Sequence, residues 1–391
     1  MSRDEEGKGA GRAPAGLVRS IRALFPDAPP PAPTPADPPA DTPDRADPPG
    51  PQDPPVLLSP SEVLLTGLER FIVADAATQV ALAGEIGEAA RELLRTNSLD
   101  VLVDGLLKLT FAAAPPEPGT SEAGATDDSL LALAEELATP AVATALAVRL
   151  SREKRSDDRR PLSAAAAKIP GAMAPALAEA LEEAPDRSSR HACIETLLAL
   201  GEHGRAQAKR MIGDSRWFVA RNGAALLAEF GGEDAVAELM GTLAHEHPRV
   251  RREAVLGLAR LGSEDAGVLL LGKLEDPDAG VRAAAVMGLG ALEVERAVRP
   301  LLELLGREED EDLVVDILRA LGRLGDPGVV PAVEKRARGT LFSKPSLPVR
   351  VAAYRALAAI GTPHAMDVLR EGAEDRDPEV KRTARALLTP E

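Results

Sequence analysis

The sequence predicts an all-α protein: a right-handed α-solenoid of helical hairpins behind a disordered Pro-rich N-terminal arm. Three observations predict it. Hydrophobic residues make up 45% of the 391 and aromatics only 2%, so any core is built from Ala, Leu and Val. Apolar residues recur at helical spacing over most of the chain. One apolar pattern also returns about every 31 residues towards the C-terminus, and most copies close on a glycine.

Taken in order, residues 1–25 form a polar tail that ends in a short amphipathic segment. Leu17, Val18, Ile21, Leu24 and Phe25 share one helical face, Arg19, Ser20 and Arg22 take the other, and Pro26 stops it. One or two turns of helix are unstable alone, so the segment is expected to fold on docking. A partner's groove suits the apolar face, with Arg12 the same cations suit an anionic membrane surface, and a frayed terminus is the competing reading. Residues 26–58 are a Pro-rich linker, with fourteen prolines between Pro26 and Pro55. Proline removes backbone donors and favours extended polyproline II, so some 30 residues reach about 90 Å. Residues 59–128 read as a helical N-terminal cap region, with helices over Glu62–Val73, Ala76–Arg95 and Leu99–Ala113 and a loop over Pro115–Asp128. Ser129–Leu137 and Pro140–Arg152 are the next two helices.

The solenoid is assigned to residues 129–391. HPRVRREAVLGLARLGSEDA, aligned on Val250, superimposes on SRWFVARNGAALLAEFGGEDA, aligned on Val219. Leu227 then meets Leu258, Gly231 meets Gly262, and Asp234-Ala235 meets Asp265-Ala266. The register continues at Val281, Leu313, Val349 and Val380, in steps of 31, 31, 32, 36 and 31 from Val219. The long step places a loop insertion around Thr340–Pro348. Weaker copies end at Leu200-Gly201 and Ile169-Pro170. Each unit is a helix opening near Val-Arg and closing at Leu-Gly, a turn, and a second helix. One hairpin cannot bury its own apolar stripe, but stacked neighbours can. These units resemble HEAT repeats, particularly the short bacterial type also found in bilin-lyase-like proteins. The resemblance implies that the Val-Arg helix is the inner one.

On that expectation the concave face carries Arg221, Arg252, Arg260, Arg319, Arg323 and Arg355, with Met287 among them and Trp217 and Asn222 at its start. Arginine pairs bidentately with carboxylate or phosphate, and Trp and Arg are common interface anchors. These nine residues are the expected protein- or peptide-binding groove. A solvated face, with Trp217 packed between repeats, is the competing reading. The Val-Arg column itself holds Arg251, Arg282, Arg350 and Lys381, with acidic residues such as Asp276, Asp278 and Asp377 in the preceding loops. There the resemblance favours inter-repeat hydrogen bonding over an anion-binding ladder.

Other functions are less well supported. Net charge −16 and eight aromatic residues argue against nucleic acid. HEAT-repeat hydroxylases carry His-Glu pairs on their inner helices. The equivalent pairs here are Arg221-Asn222, Arg252-Glu253 and Ala283-Ala284; only His191 fills the slot, and Ala192 follows it. His245-Glu246-His247 falls between helices and reads as an exposed loop, and Glu308–Asp312 reads as a solvated turn near the next helix start. No P-loop, nucleophile elbow, HExxH or CxxC motif occurs. Cys193, the single cysteine, reads as a small buried residue and fits a reducing compartment. No apolar run is long enough to span a bilayer and no signal-peptide pattern opens the chain, so a cytoplasmic location is expected. Nine Lys against 37 Arg suggest a bacterial high-GC genome. The expectation is a non-catalytic scaffold or adaptor without cofactor or metal. The alternative is a regulatory or assembly factor of an enzyme system, including bilin-lyase-like activity.

Overall fold

The structure is a computed structural model that describes residues 58–113, 127–339 and 344–389. Every regular element among them is helical, and the helices group into two compact units, with the chain dividing between Gly204 and Arg205. The arm and the segment at residues 15–25 lie outside the described residues.

The first unit contains α1 (Pro60–Val73), α2 (Ala76–Arg95), α3 (Leu99–Ala112), α4 (Asp127–Leu137), α5 (Pro140–Arg152), α6 (Ser156–Lys168), α7 (Pro170–Glu182) and α8 (Arg187–Ala199). Helix α1 begins two residues before the sequence expectation because Ser59 caps it. The Ser59 hydroxyl accepts the Glu62 N–H, and the Glu62 carboxylate accepts the Ser59 N–H at 2.8 Å. Asp75 and Asp186 cap α2 and α8 through the Thr78 and Ser189 N–H groups, each at 2.8 Å. Leu64, Leu68 and Phe71 of α1 are completely buried, each burial contributing roughly 1.5–3 kcal/mol. Helix α3 approaches α1 so closely that a Cβ on Gly105 would stand 2.9 Å from Leu68.

The second unit opens inside α9 (Glu202–Ile212) and continues as hairpins. Their first helices are α10 (Trp217–Phe230), α12 (Pro248–Leu261), α14 (Ala279–Ala291), α16 (Glu311–Leu324), α18 (Leu347–Ile360) and α20 (Pro378–Leu388). The second helices are α11 (Ala235–Met240), α13 (Glu264–Leu271), α15 (Val298–Arg307), α17 (Val330–Arg338) and α19 (Pro363–Gly372). Short 3₁₀ turns extend α11 and α13 and introduce α15 and α17. Gly262 and Gly325 stop α12 and α16 in the left-handed region, as the Leu-Gly pattern requires. The third repeat has no glycine at that place, and Glu293 takes φ 50° there.

Consecutive first helices pack side by side, whereas consecutive second helices touch at far fewer points. The layer of first helices is therefore the more closely packed of the two. Small residues permit the approach. Nine residues beyond the leading apolar residue of one repeat, and seven beyond that of the next, four of the five junctions pair one Gly with one Ala: Ala228 with Gly257, Ala259 with Gly288, Gly290 with Ala320, and Gly322 with Ala356. A Cβ on Gly290 or Gly322 would stand 2.9 Å from the facing Ala Cα.

The loop edge is held by the Val-Arg column, and its role here is structural. Arg251 donates to Asp276 at 2.9 and 2.7 Å and to the His245 and Glu246 carbonyls at 2.9 Å. Arg282 donates to Glu308 at 3.0 Å. Arg350, which is 2% exposed, donates to the Ala337 carbonyl and to Asp375. Each acceptor carboxylate also takes the N–H two residues ahead of it, at Asp278, Asp310 and Asp377. Those three aspartates cap α14, α16 and α20. The acidic run at Glu308–Asp312 is therefore a latch and a cap.

Candidate partner-binding face

Along each first helix of the second unit, three rows face away from the second helices: two, six and ten residues beyond the leading apolar residue. Arg221 and Arg252 start the first row, which continues through Ala283, Val315 and Val351. Leu256, Met287, Arg319 and Arg355 form the second, and Arg260 and Arg323 lie in the third. All six arginines are exposed, and Met287 is 42% exposed. Leu256, Val315, Val351 and Asn222 are half-buried.

The arginines divide by their partners. Arg221 Nε donates to Glu253 at 3.1 Å. Arg260 pairs with Glu229 and lies 3.8 Å from Glu253. Arg319 donates to Asp316 at 2.9 Å. Arg252, Arg323 and Arg355 make no ion pair among the described residues. With Arg382, which ends the first row and pairs with Glu379, the face carries seven arginines against four carboxylates, on a chain of net charge −16. Exposed guanidinium groups without carboxylate partners, on the same rows as an exposed thioether and half-buried aliphatic side chains, suit a ligand that combines carboxylates with an apolar anchor.

Trp217 stands two residues ahead of the leading Val219, apart from these rows. Its indole stacks on His247 of the next repeat, with ring centres 4.4 Å and planes 7° apart. The Arg249 guanidinium lies 4.9 Å from the ring centre, and Phe218 meets it edge-on at 6.0 Å. Half-buried, the indole links two repeats. His245 Nδ1 accepts the His247 N–H at 3.0 Å, and His247 Nδ1 accepts the Arg249 N–H at 3.2 Å. Both imidazoles serve as turn acceptors, and no group of three metal-ligating side chains occurs among the described residues. Cys193 is buried, and burial pushes its thiol up to about 11, away from nucleophilic use at neutral pH. Leu17, Val18, Ile21, Leu24 and Phe25 lie outside the described residues.

Two features escaped sequence reasoning. Glu253 is the carboxylate shared by Arg221 and Arg260; its position one residue past Arg252 on the same helix is the signal that could have found it. The other is an open cleft of about 880 Å³ in the first unit, between the C-terminal half of α3, the end of α5 and the length of α6. Phe111 lines it and is 83% exposed. An aromatic residue outside the buried phase of α3 (Leu102, Leu106 and Leu109) was the available signal.

No single helix among the described residues is long and apolar enough to cross a membrane. The HEAT-repeat family model matches residues 205–279 and 267–340, and the PBS lyase HEAT-like repeat model matches 349–375. No curated protein matches the chain. Among solved structures, the complex of CpcE and CpcF of phycocyanin lyase from Nostoc sp. PCC7120 is 24% identical, with 47% of this chain and 75% of that chain covered and a TM-score of 0.37. Human deoxyhypusine hydroxylase in complex with glycerol is 19% identical, with 55% and 94% covered and a TM-score of 0.27. The Escherichia coli protein YibA is 16% identical, with 67% and 96% covered and a TM-score of 0.35.

Proposed function

Starting from the chain being a HEAT-repeat protein, we propose that it is a non-catalytic scaffold whose first-helix face holds an acidic, apolar-anchored segment of a protein partner. The observation that carries this reading is the set of exposed Arg252, Arg323 and Arg355 without carboxylate partners, around Met287. Arg221, Arg260 and Arg319 add charge that is already part-neutralised, so they orient a ligand more than they attract it. Asn222 lies beside them, and Trp217 steadies the repeat junction at the end of the face. The test is affinity purification from the native host with the parent chain and with Arg252→Glu/Arg323→Glu/Arg355→Glu. The partner is expected to be lost from the variant while its helical circular dichroism is unchanged. An identical set of bound proteins would sink the reading.

The match of residues 349–375 to the PBS lyase HEAT-like repeat favours a second reading, an assembly factor that acts on a bilin-binding client. Incubating the chain with bilin and an apo-phycobiliprotein, and following chromophore absorbance, separates the two. A scaffold leaves the attachment rate unchanged, and an assembly factor raises it.

A further inference from the structure

The cleft of the first unit is open and apolar on one side. Leu107 is half-buried, Phe111 is 83% exposed, and Pro161, Leu162 and Ala164 complete that side. An exposed Phe beside an open cleft of about 880 Å³ is costly apolar surface to leave in water. The rim is charged. Arg149 is held by Asp104 at 2.7 Å, Lys108 by Glu69 at 2.6 Å and Lys168 by the Ala113 carbonyl at 2.8 Å, which leaves Arg160 as the one lining cation with no such partner among the described residues. Glu153 and Asp157 stand on the rim with no ion pair among the described residues. Residues 59–157 as a whole carry sixteen carboxylates against eight cations.

The chain holds a segment with the matching chemistry. Residues 12–25 contain Arg12, Arg19 and Arg22 and no carboxylate, and Leu17, Val18, Ile21, Leu24 and Phe25 lie on one face at helical spacing. The chain between Pro26 and the first described residue, Leu58, is 32 residues long and Pro-rich. At about 3.1 Å per residue it spans on the order of 100 Å, ample to lead from the start of α1 to the cleft. Tethering converts docking into a first-order event at a high effective concentration, so even a short helix is held. We propose that residues 15–25 fold as an amphipathic helix into the α3–α5–α6 cleft of their own chain, with their apolar face on Phe111 and Leu107 and their arginines towards Glu153 and Asp157. This assignment does not depend on the partner-binding face of the second unit.

Two experiments on the full chain test it. In hydrogen-exchange mass spectrometry, the C-terminal half of α3 and the first turn of α6 are expected to exchange about tenfold faster in Leu17→Asp/Ile21→Asp/Leu24→Asp than in the parent. The second unit acts as the unaffected internal reference. Equal protection in both proteins overturns the proposal. Protection that grows with protein concentration means that a second copy supplies the segment, and also overturns it. In the second experiment Leu24→Cys is combined with Phe111→Cys under mild oxidation. The one native thiol, Cys193, is buried, so a fast intramolecular disulfide is expected only from the engineered pair. No crosslink, together with binding of the parent to vesicles of anionic phospholipid through residues 15–25, would assign the segment to a membrane surface instead.

Discussion

At the scale of single residues, the buried Arg251–Asp276 pair is the most informative. The side chains are 11% and 3% exposed, and the bonds are bidentate. Burial pushes the Asp276 carboxyl up, but the Arg251 guanidinium, the Asp278 N–H and Lys273 outweigh it and hold it below 3.8. Removing one partner strands a buried charge. Asp276→Ala should therefore cost about 3 kcal/mol, read by urea denaturation, whereas Arg251→Met/Asp276→Leu should come close to the parent. Equal losses from the single and the double change would contradict this account. Glu293 makes the opposite case. It stands where Gly262 and Gly325 stand in neighbouring repeats and keeps φ 50°, a region that costs an ordinary residue roughly 1–2 kcal/mol. Glycine gives some of that back through the unfolded chain, so Glu293→Gly should raise stability by about 0.5–1 kcal/mol in the same assay.

At the scale of elements, the spacing of first helices rests on the Gly–Ala pairs. Gly290→Leu would drive a side chain into the Ala320 backbone and should cost about 3 kcal/mol or more, seen as faster amide exchange in α14 and α16. Gly84 supplies the control. It lies inside α2 with nothing within 4 Å of an added Cβ, so Gly84→Ala should stabilise by about 0.5–1 kcal/mol. Much of this scale was legible beforehand. The sequence placed α2 and α5 at their observed ends, because their apolar spacing is uninterrupted and Asp75 or Pro140 marks the start. Alignment of Val219, Val250 and Val281 exposed the repeat register, because one buried position recurs in each hairpin. What stayed hidden were relations between helices with no shared period. The α3–α5–α6 cleft joins elements outside the register, and nothing in the spacing of Phe111 says which neighbours surround it.

At the scale of the whole molecule, charge sets the response to solution conditions. Among the described residues, burial pushes the Asp375 carboxyl up, and the Asp377 N–H with Arg350 overcomes it, so this group too is held below 3.8. A carboxyl lowered in the folded state contributes stability that is complete above the unfolded value and disappears as pH falls through the folded one. Thermal unfolding midpoints should therefore stay level from neutral pH down to about 4, then fall steeply, with a shallower fall in Asp276→Asn/Asp375→Asn. Steady loss of stability between pH 7 and 5 would point to a different set of groups. The candidate face was legible as a row of arginines, but not as paired and unpaired ones. Arg221 and Arg252 look alike in sequence. Only the fold reveals that Glu253 sits against the first and leaves the second free.

The stretch 246–276 contains both halves of one latch, Arg251 and Asp276, and both small residues of its junctions, Gly257 and Ala259. A tandem copy of that stretch would meet cognate neighbours before and after it, since Ala259 of one copy would find Gly257 of the next. Gene duplication could thus lengthen this protein one module at a time with no compensating change elsewhere, each addition adding another pair of arginines to the exposed rows of the first helices.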